Sequence, residues 1–89
     1  MSQTVQLSDT IDQYQRKLHV NTRNGKVTMV LRWKDRASDK AHTQRVTFEP
    51  ETLGQTIGLL CVAGEATTKG DTIADAIGKV VENNPFAPV

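Results

Sequence analysis

Nine basic side chains crowd the middle of this 89-residue chain: Arg16, Lys17, Arg23, Lys26, Arg32, Lys34, Arg36, Lys40 and Arg45, with only Asp35 and Asp39 among them. Positions 14–46 are therefore net +7 and the two flanks together net −6, although the whole chain carries only +1. Guanidinium and ammonium groups at that density hold anions, whether the phosphates of a nucleic acid or the carboxylates of an acidic protein surface. The candidate contacts to such a partner are Lys17, His19, Arg23, Lys26, Arg32, Lys34, Arg36, Lys40 and Arg45.

Other chemistry has little to work with. His19 and His42 are the only histidines and Cys61 the only cysteine. No spacing matches a zinc site, no glycine-rich loop follows a strand to cradle phosphate, and no two carboxylates are set on facing positions. The expectation is a protein that is not an enzyme and uses no metal or cofactor. A lone cysteine forms no internal disulfide, so a reducing cytoplasm is the expected location. Residues Met1 to Thr10 lack the basic and apolar regions of a signal peptide, and the longest apolar stretch, Ile57 to Ala63, is too short to cross a membrane.

The elements that must position the cations start from Asn24-Gly25, a dipeptide favoured in two-residue type I′ turns because both residues tolerate φ > 0. Pairing outward from it sets Thr22 opposite Val27, Val20 opposite Met29, Leu18 opposite Leu31 and Arg16 opposite Trp33 on one face. The alternate pairs are Arg23 with Lys26, Asn21 with Thr28, His19 with Val30, Lys17 with Arg32 and Gln15 with Lys34. One register thus sorts an apolar face from a basic one. Like charges directly opposite each other cost free energy, which an external anion would offset.

A polar connector, Arg36 to His42, leads to a third strand, Thr43 to Glu49, with Val46 and Phe48 turned to the core and Arg45 and Thr47 away from it. Pro50 ends that strand and suits the first turn of a helix. Leu53, Ile57, Leu60 and Cys61 form its stripe and Gly64 its stop. Gly54 and Gly58 lie four residues apart inside this helix, each costing about 1 kcal/mol against alanine. Close approach of another backbone would compensate, either within the chain, on the sheet or on the Asp71 helix, or at an interface with a second copy, the use expected if the protein is a homo-oligomer. A linker, Glu65 to Gly70, then leads to Asp71 as N-cap of a last helix carrying Ile73, Ile77, Val80 and Val81, which Pro85 ends. Before the hairpin, Met1 to Gln6 read as a polar lead-in. Leu7, Ile11, Tyr14 and Leu18 follow helical spacing, which predicts a short N-terminal helix.

The element order, a basic three-stranded sheet and then a helix, resembles that of the small arm-binding domains of tyrosine recombinases. The run Gly70-Asp71-Thr72-Ile73-Ala74-Asp75-Ala76-Ile77 is similar to the loop-to-helix start of HicB-type antitoxins over eight residues. Neither likeness names a family. The expected fold is α+β: one domain over residues 1–89, a three-stranded antiparallel β-meander with two C-terminal helices packed on one face, and an apolar tail at 85–89. Two functions fit it. The first is a nucleic-acid-associated regulator from a phage or mobile element, which would use the basic sheet face. The alternative is a protein-interaction module, an inhibitor or adaptor whose basic face binds an acidic protein surface. Trp33 falls on the apolar face, so the basic face has no aromatic platform for stacking bases.

Overall fold

A computed structural model describes residues 2–86 of the chain. Its contacts divide into two compact units, one ending at Glu49 and the other beginning at Pro50. The first unit is all β and carries nine Lys/Arg against five Asp/Glu; the second is helical and carries two against five.

The β unit is one antiparallel sheet of four strands in chain order: β1 (Ser2–Gln6), β2 (Gln13–Arg23), β3 (Lys26–Asp35) and β4 (Ala41–Phe48). The Asn24-Gly25 turn is as expected, with φ of 54° and 73°, the left-handed values that match the twist of a tight hairpin. The β2–β3 register holds from Arg23↔Lys26 through Lys17↔Arg32, and Val46 and Phe48 of β4 pair with Met29 and Val27 of β3. Thus Leu18, Val20, Met29, Leu31 and Phe48 share one face and Lys17, His19, Arg32 and Arg45 the other.

Beyond Lys17 the expected pairing fails. Gln15 does not oppose Lys34, because Tyr14 does, and the register shifts between Tyr14 and Lys17. Gln15 and Arg16 together face Trp33 as a bulge, with Gln15 at φ 52°. A bulge with a left-handed first residue usually has glycine there, so nothing in the side chain marks it.

The expected sheet of three strands is short by one, since the polar lead-in is itself a strand: Val5 pairs with Leu18 and Thr4 with His19. The expected N-terminal helix does not form. Among its four apolar positions Ile11 is 88% exposed, and Tyr14 and Leu18 belong to β2. Eleven residues of ladder outweigh a two-turn helical pattern, as tertiary pairing commonly outweighs local spacing. The loop between β1 and β2 is instead tied down by polar bonds. Arg16 Nη1 donates to the Ser8 carbonyl at 2.8 Å, and the Thr10 N–H donates to the Gln13 carbonyl at 2.9 Å.

The connector after β3 is also tighter than its polarity suggests. Asp39 N–H donates to the Asp35 carbonyl at 2.8 Å and Asp35 N–H to the Lys40 carbonyl at 3.0 Å, with Asp39 at φ 58°. Val30 and Phe48 are the buried apolar residues of the described chain, and they lie on opposite faces of the sheet.

The second unit is a helical hairpin, α1 (Pro50–Glu65) and α2 (Gly70–Asn83). Pro50 stands at the start of α1 as expected. The linker is shorter than Glu65 to Gly70, because α2 begins at Gly70 and its cap position is Lys69, without a side-chain bond, rather than Asp71. Thr67 Oγ1 instead donates back to the Gly64 carbonyl at 2.7 Å. Asn84 closes α2 in a left-handed conformation, its N–H on the Val80 carbonyl at 2.8 Å. The close approach expected at Gly54 and Gly58 occurs elsewhere: a Cβ at either would meet nothing within 4 Å, whereas one at Gly64 would meet Ile73 Cγ2 at 3.2 Å. Large apolar side chains of α1 remain exposed, Leu59 to 72%. The end of the expected apolar tail, 87–89, lies outside the described residues.

Candidate functional site

The nine candidate contacts do not gather in one place. Lys17, His19, Arg32 and Lys34 line one depression of about 340 Å³ on the sheet, and His19, Arg32 and Arg45 line an adjoining one of about 230 Å³. His19 and Arg32 border both. Strand alternation explains the grouping. With pairs Lys17↔Arg32, His19↔Val30↔Arg45 and Lys34↔Ala41, the pleat sends all five cationic or imidazole side chains to one face. Their partner strands keep them one strand spacing, about 4.8 Å, from each other's row.

Two features shape this face beyond its charge. Val30 sits among the residues of the second depression at 9% exposure, so the basic face has an apolar floor between His19 and Arg45. Arginine and histidine side chains suit such a position because their apolar stems cover the hydrocarbon while the polar ends reach water. At the β1 side, a 2.8 Å hydrogen bond joins Thr4 Oγ1 to His19 Nδ1 and holds the imidazole over the sheet. Thr4 carries no sequence signal for this role, since it depends on a strand with one apolar residue, Val5.

The remaining candidates have other partners or stand apart. Lys26 Nζ pairs with Glu49 at 3.0 Å near the hairpin end, where Arg23 also lies. Arg36 is spent on the β1–β2 loop: its backbone N–H donates to the Asp12 carbonyl at 3.0 Å, its Nε to the Thr10 carbonyl at 3.2 Å, and its guanidinium lies 3.6 Å from Asp9 and 5.5 Å over the Tyr14 ring. Lys40 belongs to the turn before β4. Lys17, Arg32, Lys34 and Arg45 form no ion pair among the described residues, and Lys17 directly opposes Arg32. A like-charge cross-strand pair without an internal counterion lowers its electrostatic energy when an anion arrives.

On the opposite face, Trp33 stacks on His42 with ring centroids 5.3 Å apart and planes 16° apart. His42 Nε2–H donates to Asp35 Oδ2 at 2.7 Å, so carboxylate, imidazole and indole form one fixed group. By register Trp33 belongs to the face opposite the cations, but Trp33 and His42 also line the depression of about 340 Å³ that Lys17, His19, Arg32 and Lys34 border. No group of three or more His, Cys, Asp or Glu side chains is arranged to hold a metal ion among the described residues. None of the described helices is long and apolar enough to cross a membrane.

The chain is thus a small α+β protein with a basic sheet face on which Lys17, Arg32, Lys34 and Arg45 form no ion pair among the described residues. Residues 1–84 match the model of the family described as inhibitor of toxin/antitoxin system (Gp4.5), and the chain belongs to that family. It is similar to the gene 4.5 protein of Enterobacteria phage T3, 50% identical over 62 residues, which are 70% of this chain and 66% of that one. It is also similar to the inhibitor of toxin/antitoxin system of Escherichia phage T7, 57% identical over 51 residues, or 57% of each chain. The chain thus covers less than two thirds of the length of either of these curated relatives. No solved structure matches it. Of the two functions drawn from the charge pattern, inhibition through a protein partner agrees with these names better than nucleic-acid binding.

Proposed function

We propose that this chain is a phage inhibitor that works by protein–protein contact in the host cytoplasm, docking its basic sheet face on an acidic surface of a target through which a toxin/antitoxin system is inhibited. The observation that carries this reading is the set of cations with no internal ion pair, Lys17, Arg32, Lys34 and Arg45, projecting from one face of one sheet. Cations in such an array steer an acidic partner by long-range attraction and fix its orientation on contact. The family name supplies the inhibitory sense. Self-association through the exposed α1 face bearing Gly54 and Gly58 is a second part of the proposal. It is motivated by the open space at both glycines and the exposure of Ile57 and Leu60 around them.

The test replaces Lys17, Arg32 and Lys34 together by glutamine. In cells carrying an inducible toxin/antitoxin pair, the wild type is expected to suppress toxin-dependent growth arrest and the triple variant to lose that effect while keeping its circular dichroism. Full inhibition by a folded triple variant would remove the site. Tight, steeply salt-dependent binding of generic DNA or RNA by the wild type, lost in a triple variant that still inhibits, would assign the face to nucleic acid instead.

A further inference from the structure

The sheet has two outer strands, and they differ. β1 is five residues long, all of them exposed. β4 runs eight residues, Ala41–Phe48, in unbroken register with β3, with no proline, glycine or bulge and with Arg45 as its only Lys, Arg, Asp or Glu. Soluble proteins usually blunt such an edge with lysines, proline, a bulge or extra twist, because a row of unpaired N–H and C=O groups is a template for another strand. β4 has no lysine, proline or bulge.

The outward groups follow from one bond. Asp35 N–H donates to the Lys40 carbonyl, so Asp35 and Lys40 are a hydrogen-bonded pair at the start of the β3–β4 ladder. Antiparallel ladders alternate, so the next such pairs are Trp33↔His42, Leu31↔Gln44 and Met29↔Val46. Ala41, Thr43, Arg45 and Thr47 therefore aim their N–H and C=O groups away from β3. In the sheet order no described strand lies beyond β4 to receive them.

Their side chains also decide what fits. Thr43 and Arg45 project to the same face as Arg32 and Lys34, which lie one strand further in. A strand added at the edge would set every second side chain beside Arg45 and about two strand spacings, roughly 10 Å, from the β3 cations. Carboxylates at those positions would meet positive charge. The intervening side chains would lie alongside Gln44 and Val46, the latter 39% exposed. A second copy of β4 satisfies the backbone equally well but brings the unpaired cations of two sheets side by side, which is repulsive.

We propose that the outer edge of β4 captures an extended acidic segment of the protein target as a fifth strand, through the outward backbone groups of Ala41, Thr43, Arg45 and Thr47. This rests on the inhibitor reading and adds to it the mode of recognition: main-chain bonds give affinity, and alternate side chains give specificity.

The experiment uses the full chain and a blocked seven-residue peptide alternating threonine or valine with glutamate. Amide exchange is read by NMR with and without it. Added peptide is expected to slow exchange at Thr43, Arg45 and Thr47, and binding should weaken with salt. Thr43→Pro removes an outward N–H while His42 and Gln44 keep the ladder to β3, a position where an edge strand accepts proline. It should weaken peptide binding about tenfold or more, the scale of a lost hydrogen bond plus ring bulk. Should that variant misfold, the same peptide N-methylated at its edge-facing amides tests the same bonds on an unaltered protein, and it should bind at least about tenfold less tightly. Arg45→Glu should reverse the preference toward a lysine-containing peptide. The proposal is overturned if the glutamate peptide does not bind, if it binds without slowing exchange at β4, or if β4 is protected without peptide in a concentration-dependent way, which would mean pairing between copies. If any of these occurs while the triple glutamine variant still loses inhibition in cells, the edge fails and the basic-face reading stands.

Discussion

Replacing Gly25 separates backbone strain from packing at the turn that registers the sheet. Gly25 sits at φ 73° and a Cβ there would meet nothing within 4 Å, so a side chain costs only what the left-handed backbone costs. For an ordinary L-residue that cost is about 1–2 kcal/mol, and a β-branched residue stands toward the top of the 1–3 kcal/mol range for strained backbone. Removing glycine also restricts the unfolded chain, which returns about 0.4–1 kcal/mol. The expected net losses are near zero for Gly25→Asn, since asparagine tolerates this region, roughly 0.5–1 kcal/mol for Gly25→Ala and about 2 kcal/mol for Gly25→Val. Trp33 is the only tryptophan and lies on β3, so its fluorescence during urea unfolding reports the sheet unit, while far-UV ellipticity follows the helices. Equal losses for asparagine and valine would refute the reasoning, as would a valine variant whose Trp33 transition is unmoved.

Gln15 offers the reverse experiment: it holds φ 52° at the bulge and is exposed, so Gln15→Gly should raise stability by about 0.5–1 kcal/mol in the same titration, and a loss would show that its side chain matters. In α1, Gly54→Ala and Gly58→Ala should each stabilise the helix by up to about 1 kcal/mol, because nothing stands where the new methyl goes. If a second copy packs there, Gly58→Leu disrupts assembly instead, and light scattering decides: a single species of 9.8 kDa at all concentrations refutes self-association.

The β2–β3 hairpin was legible because one dipeptide fixes a register that seven pairs then confirm, from Arg23↔Lys26 to Lys17↔Arg32. It ceased to be legible at Gln15, where the chain takes up an extra residue without the glycine that usually signals it. β1 was hidden because its only apolar residue is Val5, and a strand that is exposed throughout leaves no alternation to read. Of the site, the pleat predicts Lys17, His19, Arg32, Lys34 and Arg45 on one face, and the structure agrees. Arg36 and Lys26 are different: their anionic partners, Asp9 and Glu49, come from distant stretches of chain that no local pattern connects to them. The glycines of α1 were legible as unusual, but the tight contact belongs to Gly64 and depends on where Ile73 falls across the hairpin.

The order of the strands in space repeats their order along the chain, and the two helices are likewise consecutive. Each pairing then closes only a short loop, so little chain entropy is lost before contacts repay it, and proteins of such local topology form quickly. Every strand of the sheet has been synthesised once Phe48 emerges, and none of its ladders waits for the helices that follow. In the proposed inhibitory role, a binding surface that assembles while the rest of its polypeptide is still being translated shortens the interval between message and effect.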